Sequence, residues 1–400
     1  MGGYTKRELV PDQHILSGIF PDVPDIADGL CTVISNTFDT CTFRLLLAAE
    51  PRPGFPADLL IRPEASRNHH LAAVAELQQL AHLQIPDLVP ATLAVGSAID
   101  ASRRQVEYSI TPFLDGTTVL EEVWAGLDQH NQRSLVGSIV VAMRKLQEVP
   151  VQSPDVRQIL QRHGKTTAES QPSSKAAFVG GPDVGFHSGV KPLLEAFLGQ
   201  RAADLQACEI LDTGDGIAVR SAVDGIGAIE LSKSDLDVLM SLTVFCHNDL
   251  EPRNILVKRI GGNNGGGWYE LAAIIDWELA GFFPFAYEFG LKDTLLGSSN
   301  LWFSWYSVFK EQTATLLPKQ EAHEKLIKAP GIIEGSKEST RPKNVGVRVR
   351  GKWIKRERLR MSSDVRCGWV REDGADHLPC FTKEDNINLE QEVLKELGYI

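Results

Sequence analysis

The feature that most constrains this 400-residue chain is a strand–turn–strand with polar residues at both ends. VFCHNDLEPRNILV, residues 244–257, sets His247, Asp249 and Asn254 in a His-x-Asp-x-x-x-x-Asn pattern between an apolar run and a strand over 254–260. GGNNGGG follows at 261–267, then a second strand over 268–277 that carries AAIIDWE and Asp276. A Gly- and Asn-rich turn folds two such strands back as a hairpin. That places Asn254, at the start of one strand, beside Asp276, at the end of the other, with Asp249 on the loop before them. Two hard oxygen donors meeting at one point, with room for water and phosphate oxygens, suit Mg²⁺. A carboxylate on the preceding loop suits a base that orients an attacking hydroxyl. Taken singly, Asp249 before Pro252 is an ordinary turn residue and Asp276 an ordinary cap. Their convergence carries the reading.

The rest of the chain reads as two lobes and an appendage. Apolar runs at 30–35, 42–48 and 57–62 are strands, the third ended by Pro63. Leu71, Val74, Leu77 and Leu80 recur at helical spacing over 67–83, and Pro86 stops that helix. Strands at 92–95 and 107–110 complete five strands with one helix between the third and fourth. Later segments, 120–127, 134–146, 190–198, 234–242 and 285–329, are helical, and 161–184 is a surface excursion. The class is α+β: a small N-terminal antiparallel-sheet lobe (1–112), a larger mainly helical C-terminal lobe (113–330) and an extension (331–400). The extension opens on a linker over 330–346 and carries a basic segment and a terminal helix over 389–397.

The two motifs resemble those of the aminoglycoside phosphotransferase family, a branch of the protein-kinase-like fold that includes choline and related small-molecule kinases. The similarity spans about 31–317 and is nearest to a fungal set carrying HNDLEPRNILV and IIDWE. It implies a two-lobed protein-kinase-like fold and an ATP-dependent enzyme that moves a γ-phosphoryl group to a hydroxyl of a small molecule in fungal secondary metabolism. ATP and Mg²⁺ are the implied cofactors, with GTP an open alternative donor. By the same resemblance Asp249 is the catalytic aspartate, Asn254 and Asp276 are metal ligands, and His247 is architectural. Arg62, ending the third strand, stands where the family places a basic residue that grips ATP phosphates. Glu76, on the next helix, stands where the family has its pairing acid; an ordinary surface pair is the other reading. No lysine occurs between Lys6 and Lys145, so none replaces Arg62. The phosphate-covering turn is SNTFDT, 35–40, which has no glycine. The interlobe hinge is 111–114, where Thr111 and Phe113 flank a proline without an amide donor and the backbone near Phe113 would bond adenine. A plain strand end fits those residues too. The glycine-free turn and Arg62 also fit a non-catalytic nucleotide- or metabolite-binding pseudokinase on the same fold.

Glu251, Glu278, Glu288 and Asp293, followed by Trp302, Trp305 and Tyr306, form either an acidic and aromatic wall for a cationic amine or amino sugar, or a set of caps and internal hydrogen bonds. A net charge of −11 argues against a nucleic-acid partner. The stretch 341–360 holds nine Lys or Arg and one acid. It is either a docking surface for an anionic partner or a solvated helix face balancing an acidic neighbour. No run approaches the roughly 18 apolar residues of a membrane span, residues 1–10 lack an apolar leader, and the six cysteines show no metal-binding spacing. The expectation is a cytoplasmic enzyme without membrane partners, its oligomeric state open. Other motifs fail on one residue each. Gly164-Lys165-Thr166 has Ile159 where a P-loop needs glycine, Gly225-Ile226-Gly227 lacks the third glycine of a dinucleotide fingerprint, and His323-Glu324 has Ile327 where a second His is required.

Overall fold

Every second residue along three strands is buried: Phe43 and Leu45, then Leu59 and Ile61, then Val106, Tyr108 and Ile110. That period makes one apolar sheet face. The computed structural model describes residues 8–23, 26, 28–65, 70–163, 178–199, 207–261, 268–375, 378 and 381–400. Outside them lie residues 1–7, Arg67, His69, Gly164-Lys165-Thr166 with most of the expected excursion, 262–267 of the Gly-rich turn, and Cys380. The chain falls into two compact units, 1–117 with 272–278, and 118–271 with 279–400.

In the first unit, β1 (Cys31–Asn36), β2 (Cys41–Leu46), β3 (Asp58–Ala65), β4 (Ala94–Ile99) and β5 (Gln105–Pro112) form an antiparallel sheet in the order β1-β2-β3-β5-β4. α1 (Gln13–Ile19) is capped by Asp12 and adds Ile15, Leu16 and Ile19 to the core under the sheet. α2 (Leu71–Gln84) joins β3 to β4. Pro63 does not end β3, which continues to Ala65. The ladder to β2 stops at Ile61, and Ala65 N donates on that side to Asp39 O instead. Pro63, two residues earlier, faces the side where the ladder has ended, so its missing donor leaves no ladder bond unmade.

The second unit is mainly helical. It opens with β6 (Thr117–Val119), α3 (Leu120–Val123), α4 (Gln129–Gln147) and α5 (Pro154–His163), then β7 (Val179–Gly181), β8 (Gly185–His187) and α6 (Val190–Leu198). A meander of β9 (Cys208–Thr213), β10 (Gly216–Ser221) and β11 (Ala228–Ser232) follows, with α7 (Lys233–Ser241), β12 (Thr243–Cys246), β13 (Ile255–Ile260), β14 (Trp268–Ile274, its last three residues counted in the first unit) and β15 (Gly281–Pro284) after it. β12, β15, β7 and β8 form one sheet in that order, and β13 lies between β14 and β6 in another. α4 is capped by Asp128 and buries Leu135, Ile139, Met143 and Leu146, one stripe at helical spacing.

α8 (Phe285–Leu295), α9 (Phe303–Thr313) and α10 (Glu321–Ser339) follow. The linker expected from Pro330 is instead helix, because α10 runs through Pro330 to Ser339. Pro330 is buried with Ile327, Ile332 and Ile333 where α10 packs on α8. The axes approach closely: a methyl at Gly290 of α8 would lie 2.3 Å from Ile327 O. Tertiary burial there outweighs the local helix-breaking preference.

The extension continues with α11 (Val345–Arg356), β16 (Leu359–Met361), β17 (Trp369–Arg371) and α12 (Lys383–Glu396). Trp353 is fully buried, and Phe381 meets it edge-on. The basic stretch is balanced within the protein. Lys352 reaches Glu392 and Glu396 at 2.5 and 2.6 Å, Arg350 reaches Glu338 at 2.9 Å and Arg358 reaches Glu372 at 3.2 Å. Among the described residues no helix is long and apolar enough to cross a membrane.

Candidate functional site

β12 buries Phe245 and Cys246 and pairs antiparallel with β15, Cys246 opposite Gly281. β15 also lies tight against β7, since a methyl at Gly281 would sit 2.3 Å from Gly180 O. The loop leaving β12 is therefore held against the segment that enters β15. Asn248 makes the turn with φ 64°, donates from Nδ2 to Leu279 O at 2.8 Å, and donates from its backbone N–H to Glu288 Oε1 at 3.0 Å. Asp249 N–H donates to His247 Nδ1 at 3.2 Å, which gives His247 an architectural place in this loop. A single 3-10 turn, 252–254, begins on Pro252 and closes the loop.

Within that loop Asp249 and Asn254 meet. Asn254 Nδ2 donates to Asp249 Oδ2 at 2.8 Å and to Asp249 O at 2.9 Å. Arg253 Nη2 donates to both Asp249 carboxylate oxygens at 2.8 and 2.7 Å, and Arg253 Nη1 is fixed by Ser299 O at 2.8 Å. Asp249 is only 3% exposed. Beneath it, buried Lys292 donates to Leu250 O and to Glu251 Oε1, the latter at 2.8 Å. Burial pushes the Glu251 carboxyl above its ordinary range although Lys292 opposes the shift. Burial likewise raises Glu288, and it raises the Cys246 thiol, to which Glu288 adds.

In the first unit the DWE turn and β3 come together. Trp277, 1% exposed, donates from its indole N–H to Ile274 O at 3.1 Å, and Ile274 N–H donates to Leu88 O at 2.8 Å. Asp276 stands at φ 64°, a sparsely populated region for a residue with a side chain. Arg62 Nη1 donates to Asp276 Oδ1 at 2.9 Å, Nη2 donates to Glu278 Oε2 at 2.8 Å, and Nε lies 3.9 Å from Glu64. Burial alone lowers the Arg62 pKa, but Asp276 and Glu278 outweigh it and the net shift is upward.

Arg62 therefore faces three described carboxylates, and Glu76 on α2 is not among them. In place of the pairing expected between Arg62 and Glu76, the guanidinium fork is taken by two carboxylates of the DWE turn, Asp276 and Glu278. Thr111 and Phe113 stand at the end of β5 and just beyond it. The Phe113 amide expected to face a nucleobase already donates to Asp58 O at 3.1 Å, and Arg44 lies 4.1 Å over the Phe113 ring. In the 35–40 turn the Thr37 hydroxyl accepts from the Asp39 and Thr40 amides at 3.2 and 3.0 Å, so those two amides are engaged within the turn.

Three of the four acids of the expected wall are internal and the fourth, Glu278, is exposed. Glu251 pairs with Lys292, Glu288 accepts from Asn248, and Glu278 accepts from Arg62. Asp293 accepts from Tyr306 at 2.6 Å and pairs with Lys310 at 2.8 Å. Arg253 and Lys292, and the supporting place of Glu288 under the loop, were not anticipated from the sequence. The signal was present for the last two: charges four apart on a helix whose surrounding positions are aromatic or aliphatic nearly all round, which places them in a core where they must be paired.

Asn254 spends Nδ2 on Asp249, which leaves Oδ1, and Asp276 spends Oδ1 on Arg62, which leaves Oδ2. Each remaining oxygen is a hard donor of the kind Mg²⁺ takes alongside water and phosphate. Asn254 belongs to the second unit and Asp276 to the first. Among the described residues no group of three or more His, Cys, Asp or Glu is arranged to hold a metal by itself.

The model of the phosphotransferase enzyme family matches residues 59–322. No curated protein sequence matches the chain. Among solved structures, a thermostable mutant of aminoglycoside phosphotransferase APH(4)-Ia in its apo form is 12% identical with a TM-score of 0.48, over 85% of this chain and 97% of that one. The GDP complex of wild-type aminoglycoside 2'-phosphotransferase-IIIa is 12% identical with a TM-score of 0.44, over 96% and 98%. APH(3'')-Id from Streptomyces rimosus is 16% identical with a TM-score of 0.39, over 80% and 96%.

Proposed function

Because the chain belongs to the phosphotransferase enzyme family, we propose that it is a small-molecule kinase that moves the γ-phosphoryl group of ATP to a hydroxyl of its acceptor. Its fold is protein-kinase-like, an antiparallel-sheet unit with a larger, mainly helical one. The observation that supports the reading most is the Asp249 carboxylate, buried and aimed by Arg253 and Asn254. A base that must meet one hydroxyl gains chiefly from fixed direction. The acceptor oxygen attacks the γ-phosphorus, the bond from that phosphorus to the ADP oxygen breaks, and the hydroxyl proton passes to Asp249. Asn254 and Asp276 would hold Mg²⁺, which when bound offsets charge on the phosphates. Arg62 grips the donor phosphates and Glu76 belongs to the same donor side. The nucleobase sits at Thr111 and Phe113, where carbonyl oxygens accept from its exocyclic amine because the Phe113 amide is engaged. The use of ATP fits a cytoplasmic setting, and the role carried over from the fungal resemblance is secondary metabolism.

Turnover of ATP with a metabolite extract, read by mass spectrometry for phosphorylated product, tests this. Asp249→Ala abolishes product formation on this reading, and unchanged turnover would end it. A second reading, a non-catalytic nucleotide- or metabolite-binding protein, is favoured by the engaged amides of the 35–40 turn and of Phe113. Melting with ATP, with and without Mg²⁺, separates the two. Stabilisation without turnover supports the binding protein, and stabilisation with turnover removes it.

A further inference from the structure

A cavity of about 390 Å³ lies in the second unit, within the roughly 300–1,000 Å³ of small-ligand pockets. One wall is Phe283, Tyr287 and Leu291, and the other is Asn344, Val347 and Arg350. The second wall belongs to α11 and the turn before it, beyond residue 322 where the family match ends. Asn248, the residue before Asp249, lines the same cavity. The floor is flat and apolar. Phe283 and Tyr287 stack at 4.9 Å with 9° between planes, and Phe197 meets Tyr287 edge-on at 5.7 Å. Of the carboxylates at the rim, Glu338 is taken by Arg350 and Glu334 by Lys337, at 2.9 and 2.6 Å, while Asp183 has no described ion pair and Arg341 is a further cation there. Two polar atoms at the floor remain open among the described residues. Asn248 Oδ1 is buried without a hydrogen-bond partner, and the Tyr287 hydroxyl makes no described hydrogen bond.

We propose that this cavity is the acceptor site, that the extension's α11 sets its selectivity, and that its ligand is an alcohol with a largely apolar, aromatic-sized body rather than a polycation. The proposal rests on the phosphotransferase reading for its link to Asp249. An apolar body covers the Phe283–Tyr287 face, and the hydroxyl, which donates to Asn248 Oδ1 while the donor site is empty, turns that one hydrogen to Asp249, the next residue, for transfer. A polyamine gains little here, because Glu334 and Glu338 already have cationic partners, Asp183 offers it a single carboxylate, and the apolar floor returns nothing for desolvating its other charges.

Calorimetric titration of the full chain with 2-(2-naphthyl)ethanol and with kanamycin tests it. The naphthyl alcohol binds saturably, kanamycin does not, and Val347→Trp weakens the alcohol about tenfold or more by filling the space between the walls. Val347 is half-buried, and an unchanged circular dichroism spectrum checks the fold. Should Val347→Trp fail to fold, Val347→Lys at the same position serves. Absence of saturable alcohol binding to the wild type, wild-type binding by the variant, or tighter binding of kanamycin overturns the proposal. Melting with Mg²⁺ and ATP is recorded separately. Alcohol binding without a nucleotide effect removes the kinase reading and keeps the pocket, and phosphorylation of an extract component without alcohol binding removes the pocket alone.

Discussion

Replacing Lys292 by Met should be among the most destabilising single changes in the second unit. The Lys292 and Glu251 side chains are 4% and 0% exposed and 2.8 Å apart. Lys292 also donates to Leu250 O and lies 4.1 Å from the centre of the Phe309 ring. Met keeps the volume and the apolar contact but removes the charge and the donor. Glu251 Oε2 already has no hydrogen-bond partner in the structure, so the carboxylate would lose its one strong partner. Breaking a buried pair from one side costs about 3–5 kcal/mol. Glu251 has one escape, since burial already raises its pKa and it can take up a proton, at about 1.4 kcal/mol for each tenfold gain in its proton affinity. The expected loss is therefore about 3 kcal/mol near neutrality and smaller in acid. Urea unfolding of the wild type, Lys292→Met, Glu251→Met and the double variant measures it. The double variant should recover most of the loss, because replacing both charges by apolar groups is often neutral or stabilising. It should not recover turnover, because Leu250 O and Glu251 are the anchors that follow Asp249. A loss below about 1 kcal/mol in Lys292→Met, or a double variant no more stable than that single one, would refute the reasoning.

Glu288→Gln should flatten part of the stability–pH curve. Burial raises the folded carboxyl above its ordinary value, so as pH rises the unfolded chain releases that proton first and the folded state is penalised until its own raised value is passed. The wild type thus loses stability with rising pH in that window, while the glutamine keeps an acceptor for Asn248 N–H. A melting series from mildly acidic to mildly alkaline buffer should show the variant gaining on the wild type, and parallel curves would contradict the assignment. Arg62→Ala should weaken ATP binding at least about tenfold in calorimetry, with Arg62→Lys intermediate because a point charge lacks the fork that spans Asp276 and Glu278. Lys352→Ala, on the balanced basic helix, should shift the melting curve only slightly, and less at high salt.

The His-x-Asp-x-x-x-x-Asn motif was legible because its spacing is local. His247, Asp249 and Asn254 lie on one short loop, and residues 268–274 fold as the strand expected before Asp276. The five strands and the helix between the third and fourth were legible too: period-two burial survives in β2, β3 and β5, and helical spacing in α2. Partnership across the chain was not legible. Arg62 lies more than 200 residues from Asp276 and Glu278, and nothing local at Arg62 distinguishes them from Glu76. The same holds for Pro330, whose helix-breaking signal is overridden by burial against α8, and for the meander over 208–232, whose polar exposed face hides its alternation. The basic stretch read either as a surface for a partner or as a helix face balanced by an acidic neighbour, and the sequence did not name that neighbour because α12's acids lie about 40 residues away in the chain.

The main-chain direction at residue 248 restricts which sequences can inherit this loop. With φ at 64°, only glycine, asparagine or aspartate fits there without appreciable cost, and a β-branched side chain is shut out. Leu279, in contrast, serves the loop through its carbonyl alone, so a wide range of side chains can succeed it. Substitution among descendants of this chain should accordingly run narrow at the first position and broad at the second, although the two are joined by one hydrogen bond.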